Sequence, residues 1–250
     1  MPSYSGYLGL EMRKKLRVKK IIIMLGLCLA LLVATFGCAG ENSHKMDMQM
    51  GISALVALAD NHIKSYVNSL EALAITQEVQ SGDWEEMVSL LSSIEQNQVS
   101  SIVWFVLPDG SYYTVEEGKT SKNLSDRAYF PSLMAGNEVL GYLIVSKATG
   151  QKSLAAAVPV MKDGVVIGGI GASIFLKDLS DTLSEESALS DDMVFYAINE
   201  EAKYAVNEAG EVVLHSDTEL IFTENPALPK DAVTKTSPLT GWHFTLGFKD

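Results

Sequence analysis

Arg127, Tyr129 and Phe130 lie on one short stretch and are the residues of this chain best suited to recognising a ligand. A guanidinium presents a rigid fork of donors that matches a carboxylate through two parallel hydrogen bonds. Aromatic rings on the same segment can wall a pocket and expel water, which strengthens such a pair. A competing reading makes Arg127 the partner of Asp126 or another surface acid, with Tyr129 and Phe130 docking the loop onto a core.

Other reactive residue types form no catalytic constellation. The four histidines, His44, His62, His215 and His243, are scattered, and none stands near a nucleophile in a Gly-x-Ser-x-Gly context. Glu85-Glu86, Glu116-Glu117, Glu185-Glu186 and Glu200-Glu201 are sequence neighbours that read as solvated faces. The glycines between Gly168 and Gly171 sit in a strand-like run with no Lys-Ser/Thr after them, so they are not a phosphate loop. No Cys/His spacing matches a zinc site. The expectation is a protein without catalysis, metal or cofactor.

The 250 residues are 47% hydrophobic and 20% charged, a globular composition. Lys+Arg number 19 against 31 Asp+Glu, a formal −12, and no basic stripe is present to bind nucleic acid. The N-terminal region differs from the rest. Arg13, Lys14, Lys15, Arg17, Lys19 and Lys20 precede an apolar run from Ile21 to Gly37, which is the pattern of an export signal. Ala34-Thr35-Phe36-Gly37-Cys38 resembles a bacterial lipobox, with Thr35 where an aliphatic residue is usual. The expectation is cleavage before Cys38 and lipidation of that cysteine. An uncleaved anchor helix is the alternative, and Met12 is a second possible start. Residues 1–37 are then a signal segment and 38–44 a tether. Everything after residue 37 carries 13 basic and 30 acidic residues, a formal −17, and lies outside the cytoplasmic membrane.

Lys45 to Gln80 has no proline, and its apolar residues recur at spacings of three and four, which predicts a long amphipathic helix. Ser81-Gly82-Asp83 reads as a stop and a new N-cap before a second helix from Trp84 to Ile94. Ser101–Leu107 and Ser111–Val115 flank the turn Pro108-Asp109-Gly110 and read as a hairpin. A polar, turn-rich segment with a short helix at Pro131–Ala135 follows. Val139–Ser146, Ser153–Val160 and Val165–Phe175 are three more strands, and Leu176–Leu189 returns to helix. The reading is α+β: a long helix on a five-stranded antiparallel PAS-like sheet over residues 45–189. Residues 190–250 form a reduced second lobe, with strands at Met193–Ile198, Tyr204–Val206, Val212–His215 and Trp242–Phe248. A proline-containing loop runs from Pro226 to Pro238.

In this order the segments resemble the Cache sensor domains, extracellular PAS-like ligand-binding modules. The resemblance runs through Phe105–Gly110, Leu124-Ser125-Asp126-Arg127-Ala128-Tyr129-Phe130, Val145–Gly150, Ala157–Val160 and Gly168–Leu176. Thr240-Gly241-Trp242 is similar to the end of a second, membrane-proximal lobe. It implies a ligand between the sheet and the loop-helix that covers it, with Arg127, Tyr129 and Phe130 supplying contacts. It also places Ser146 and Ser173 where amino-acid-sensing members carry acids for the ligand ammonium, and Ile144 where they carry a tyrosine. A hydroxyl supplies no charge to an ammonium, so a small carboxylate without an amine fits better, with Lys147 as a further contact. Strand alternation lets one of Trp104 and Phe105, and one of Tyr112 and Tyr113, face the pocket; Trp104 and Tyr113 are the candidates. The function expected is an exported, membrane-tethered sensor that passes a signal to a separate membrane receptor or transporter. The alternative is a structural or protein-interaction module whose pocket is closed.

Overall fold

The computed structural model describes residues 47–201, 204–206, 210–224 and 226–249. The expected signal segment, Cys38 and the expected tether lie outside the described residues. Among the described residues, no helix is long and apolar enough to cross a membrane.

The three-and-four apolar spacing forms helix α1, described over 47–74. Ile52, Leu55, Ala59, Ile63, Tyr66 and Leu70 form its stripe, and none retains exposed surface. The helix ends before the expected Gln80. Thr76 leaves helical geometry to cap a new short helix, α2 (Gln77–Ser81), and its hydroxyl accepts from Val79 N at 3.4 Å. Gly82, at φ +76°, ends α2, and Asp83 caps α3 (Trp84–Asn97) by accepting from Glu85 N at 3.0 Å.

The five expected strands are present as β1 (Ser101–Val106), β2 (Ser111–Thr114), β4 (Val139–Val145), β5 (Lys152–Lys162) and β6 (Val165–Phe175). A sixth strand, β3 (Gly118–Asn123), lies where the sequence reads as turn and loop. The sheet is antiparallel throughout, in the order β3-β2-β1-β6-β5-β4. Helix α4 (Phe130–Met134) begins one residue before the expected Pro131, which becomes its first-turn proline. Helix α5 (Leu176–Glu186) follows β6 directly. A second antiparallel sheet has the order β8-β7-β10-β9, from β7 (Met193–Asn199), β8 (Glu211–His215), β9 (Lys230–Thr236) and β10 (His243–Phe248). Strand β9 falls inside the proline-containing loop, and Tyr204–Val206 is not a strand. The expected boundary at 189/190 falls between α5 and β7.

Alternation along β1 sorts the core of the first sheet. Phe105 faces the helical side, where its ring is 6.4 Å from Tyr113, itself stacked on Trp84 of α3 at 5.2 Å. Trp104 and Val106 face the other side and join Tyr112, Tyr129, Phe130, Leu133, Ala155 and Ala157 in one apolar cluster under α4. Glycines of β6 create the room for this cluster. A Cβ on Gly169 would lie 2.7 Å from Leu133 Cδ2, and one on Gly171 would lie 2.4 Å from two ring carbons of Trp104. The glycine-rich run is therefore a packing device.

Candidate functional site

The cover over the first sheet starts from the β1–β2 turn. Asp109 Oδ1 accepts from Ser111 N at 2.9 Å and Ser111 Oγ at 2.6 Å, which fixes the turn, and Gly110 adopts φ +82°. Gly110 O then accepts from Leu124 N at 2.8 Å, and Asn123 Nδ2 donates to Asp109 O at 3.0 Å. Arg127 N bonds Leu124 O at 3.0 Å and Phe130 N bonds Arg127 O at 2.9 Å, so two successive turns lead into α4. This path sets Arg127 and Tyr129 over the sheet.

They meet a cavity of about 10 Å³. Its wall brings together six of the candidates: Trp104, Arg127, Tyr129, Ser146, Lys147 and Ser173. Phe130 lies beside it in the apolar cluster rather than on its wall. Tyr113 is on the opposite face, because the register places it opposite Phe105; its neighbour Tyr112, opposite Val106, lines the cavity instead. The two aromatic pairs were equivalent by sequence, and only the hairpin register separates them.

Arg127 does not pair with Asp126. Its Nη2 donates to Val145 O at 2.7 Å, and its Nε is buried with no hydrogen-bond partner among the described residues. A buried guanidinium donor left without any partner is costly. Asp126 instead takes Lys147, whose Nζ lies 2.5 and 2.7 Å from its two carboxylate oxygens and donates to Asn123 O at 2.7 Å. The hydrogen bond from Lys147 holds the Asp126 carboxyl below its ordinary range. Trp104 Nε1 donates to Ser173 Oγ at 3.3 Å, and the Trp104 ring stacks on Tyr129 at 6.2 Å. Burial pushes the Tyr129 phenol well above its usual value, so it stays neutral. Ser146 is buried, and its hydroxyl accepts from Thr149 N at 3.4 Å. Among the described residues the wall thus holds Arg127, the Asp126-paired Lys147, hydroxyls and rings, and no Asp or Glu.

No family model and no curated protein matches the sequence. Solved structures do match the fold. The sensor domain of the V. cholerae histidine kinase DctB superposes with a TM-score of 0.61 at 12% identity, covering 84% of this chain and 98% of that one. The ligand-binding domain of the Pseudomonas fluorescens chemoreceptor CtaA, in complex with L-valine, gives 0.63 at 15%, covering 84% and 98%. The ligand-binding domain of the Pseudomonas aeruginosa chemoreceptor PctC, in complex with GABA, gives 0.58 at 16%, covering 82% and 96%. At such identities the likeness speaks for architecture, and the architecture of this chain is that of the Cache-type sensor domains.

Proposed function

We propose that the chain is an exported, membrane-tethered sensor of a small organic carboxylate, bound in the first lobe between the sheet and its cover. The observation that carries this reading is Arg127 on the cavity wall, its buried Nε without a hydrogen-bond partner among the described residues, beside a Lys147 that Asp126 pairs and with no acid among the lining residues. L-valine and GABA, bound by two of the structural neighbours, each combine a carboxylate with an amine. Here Arg127 answers the first group. Nothing of opposite charge answers the second, because Ser146 and Ser173 offer only hydroxyl oxygens. A bound ammonium would therefore be desolvated without a counter-charge. The rings of Trp104, Tyr112 and Tyr129 exclude water from the pair. Arg127, Ser146, Lys147 and Ser173 supply the polar contacts, and Phe130 supports the cover from behind.

Attachment at Cys38 would hold the domain outside the membrane, and a separate membrane receptor or transporter would read its occupancy. Mass spectrometry of a membrane fraction tests the attachment: an acylated N-terminal Cys38 peptide supports it. An intact peptide spanning Met12 to Phe36 supports the anchor helix. The volume of about 10 Å³, room for one water, favours a second reading in which the pocket is closed and the domain is an interaction module. A thermal-shift screen over organic acids, amino acids, amines and purines separates the two. A ligand at a hundred times its dissociation constant adds ~2.7 kcal/mol of stability. A flat screen favours the module.

A further inference from the structure

A cavity of about 10 Å³ must enlarge before it takes even a two-carbon acid, so something identifiable must give way. One side of the cavity is built from β1 and β6, central strands bonded to neighbours along both edges, and cannot move cheaply. The other side includes Leu124, Arg127 and Tyr129 of the cover and Ile144, Ser146, Lys147 and Ala148 at the end of β4, and these lie on or beside two segments, residues 122–127 and 145–148. Among the described residues, no backbone–backbone hydrogen bond joins these two segments. They are joined by side chains: Lys147 Nζ to Asp126 and to Asn123 O, Arg127 Nη2 to Val145 O, and Lys122 Nζ to Lys147 O. The ion pair at the centre of this group is solvated, with the Lys147 and Asp126 side chains 26% and 69% exposed.

We infer that the Asp126–Lys147 pair is a latch that holds the cavity shut, and that ligand entry requires its release. It rests on the reading of this cavity as a ligand site. In the closed state Asp126, on the solvent side, is the chain's own carboxylate on a cation of the cavity wall. An entering carboxylate offers Lys147 the same chemistry from inside the cavity, while Asp126 is released into water. The latch therefore sets apparent affinity through the fraction of molecules that are open, since only that fraction can bind. Its strength is that of an exposed ion pair, so removing it raises the open fraction by up to about fivefold.

The Trp104 indole N–H reports opening without any ligand, because it is buried on Ser173 Oγ at the cavity wall. Its exchange with solvent can be followed by NMR on the full chain, with the buried Trp242 as internal control. Asp126→Asn and Lys147→Gln should each speed Trp104 exchange by up to about fivefold. Wild type in 1 M NaCl, where screening reaches ~3 Å, should move the same way. Asp181→Asn, which breaks the exposed Lys177–Asp181 pair on α5, should leave Trp104 exchange unchanged. Titration with sodium acetate should show the apparent affinity of Asp126→Asn rising by the same factor as its exchange rate. Unchanged Trp104 exchange in both latch variants overturns the latch, whether or not acetate binds. Faster exchange with no binding of acetate or any longer acid upholds the latch and instead defeats the carboxylate reading.

Discussion

Gly171→Ala adds one methyl group at the point where Trp104 crosses β6. Trp104 and Gly171 are direct partners in the β1–β6 register, so the new Cβ projects onto the cover face. It would sit 2.4 Å from Trp104 Cη2 and Cζ2 and 2.8 Å from Ala156 O. Ordinary carbon–carbon contact is about 3.5–4.0 Å, so the ring has to retreat by roughly 1 Å or more. It has little room to do so, because Tyr129 stacks on it and its Nε1 is bonded to Ser173. The cavity of about 10 Å³ is the available space, and a displaced indole fills it. Overpacking of this kind costs about 1–3 kcal/mol. For a domain of this size that lowers Tm by roughly 2–4 °C per kcal/mol. Gly150→Ala is the contrast: Gly150 has φ +76°, and a Cβ there would meet nothing within 4 Å among the described residues, so only backbone strain is incurred. Thermal unfolding of both variants, followed with a carboxylate thermal-shift series, separates the effects. Gly171→Ala should lose both stability and any carboxylate response. Gly150→Ala should keep the response. A Gly171→Ala protein with unchanged Tm and an intact response would refute the close packing of Trp104 on β6 and the place of its ring in the cavity wall.

Two further outcomes concern residues on and beside the second sheet. Ser237 is buried; its hydroxyl donates to Asp60 Oδ1 of α1 at 2.5 Å, and Leu239 N, Thr240 N and Thr240 Oγ1 at 3.0–3.1 Å share its two lone pairs. Ser237→Ala strands these partners and should cost about 1–3 kcal/mol in urea unfolding; a loss within error would mean water replaces the hydroxyl at no cost. His215 is buried, its Nδ1 accepts from Asp217 N at 2.7 Å, and burial holds its pKa below the ordinary histidine value. The unfolded chain then binds a proton more readily than the fold. This contribution is complete above about pH 6.5 and is lost as pH falls through the depressed folded value, with a slope of at most ~1.4 kcal/mol per pH unit. His215→Asn should flatten that part of the stability profile, whereas an unchanged slope would assign it to other groups.

What the sequence made legible follows from where side chains are buried. The stop at Gly82, the cap at Asp83 and the turn at Asp109-Gly110 were readable because backbone geometry demands those residue types. Strands β3 and β9 were not readable. Each is an edge strand, and their sequences, GKTSKN and KDAVTKT, bury only Thr120 and Val233 respectively, so no alternation marks them. The candidate site was legible in residue type: the positively charged and hydroxyl residues on the cavity wall all come from short segments recognisable by sequence. It was not legible in parity. The choice of Tyr112 over Tyr113 depends on cross-strand register, and the partner of Arg127 depends on where β4 ends. That Asp126 turns to Lys147 rather than to Arg127, one residue away, is a long-range fact with no local signature.

Calorimetric titration of wild type, Arg127→Ala and Arg127→Lys is decisive for the sensor reading, using acetate, propionate, lactate and succinate beside glycine, alanine and GABA. At least one amine-free acid should bind wild type, and more tightly than the amino compound of the same length. Arg127→Ala should lose 2–5 kcal/mol, roughly thirty-fold or more in affinity, with Arg127→Lys recovering only part because an ammonium keeps the charge and loses the fork. An absence of heat across the whole panel, or an Arg127→Ala variant that is folded and binds as wild type does, would contradict it.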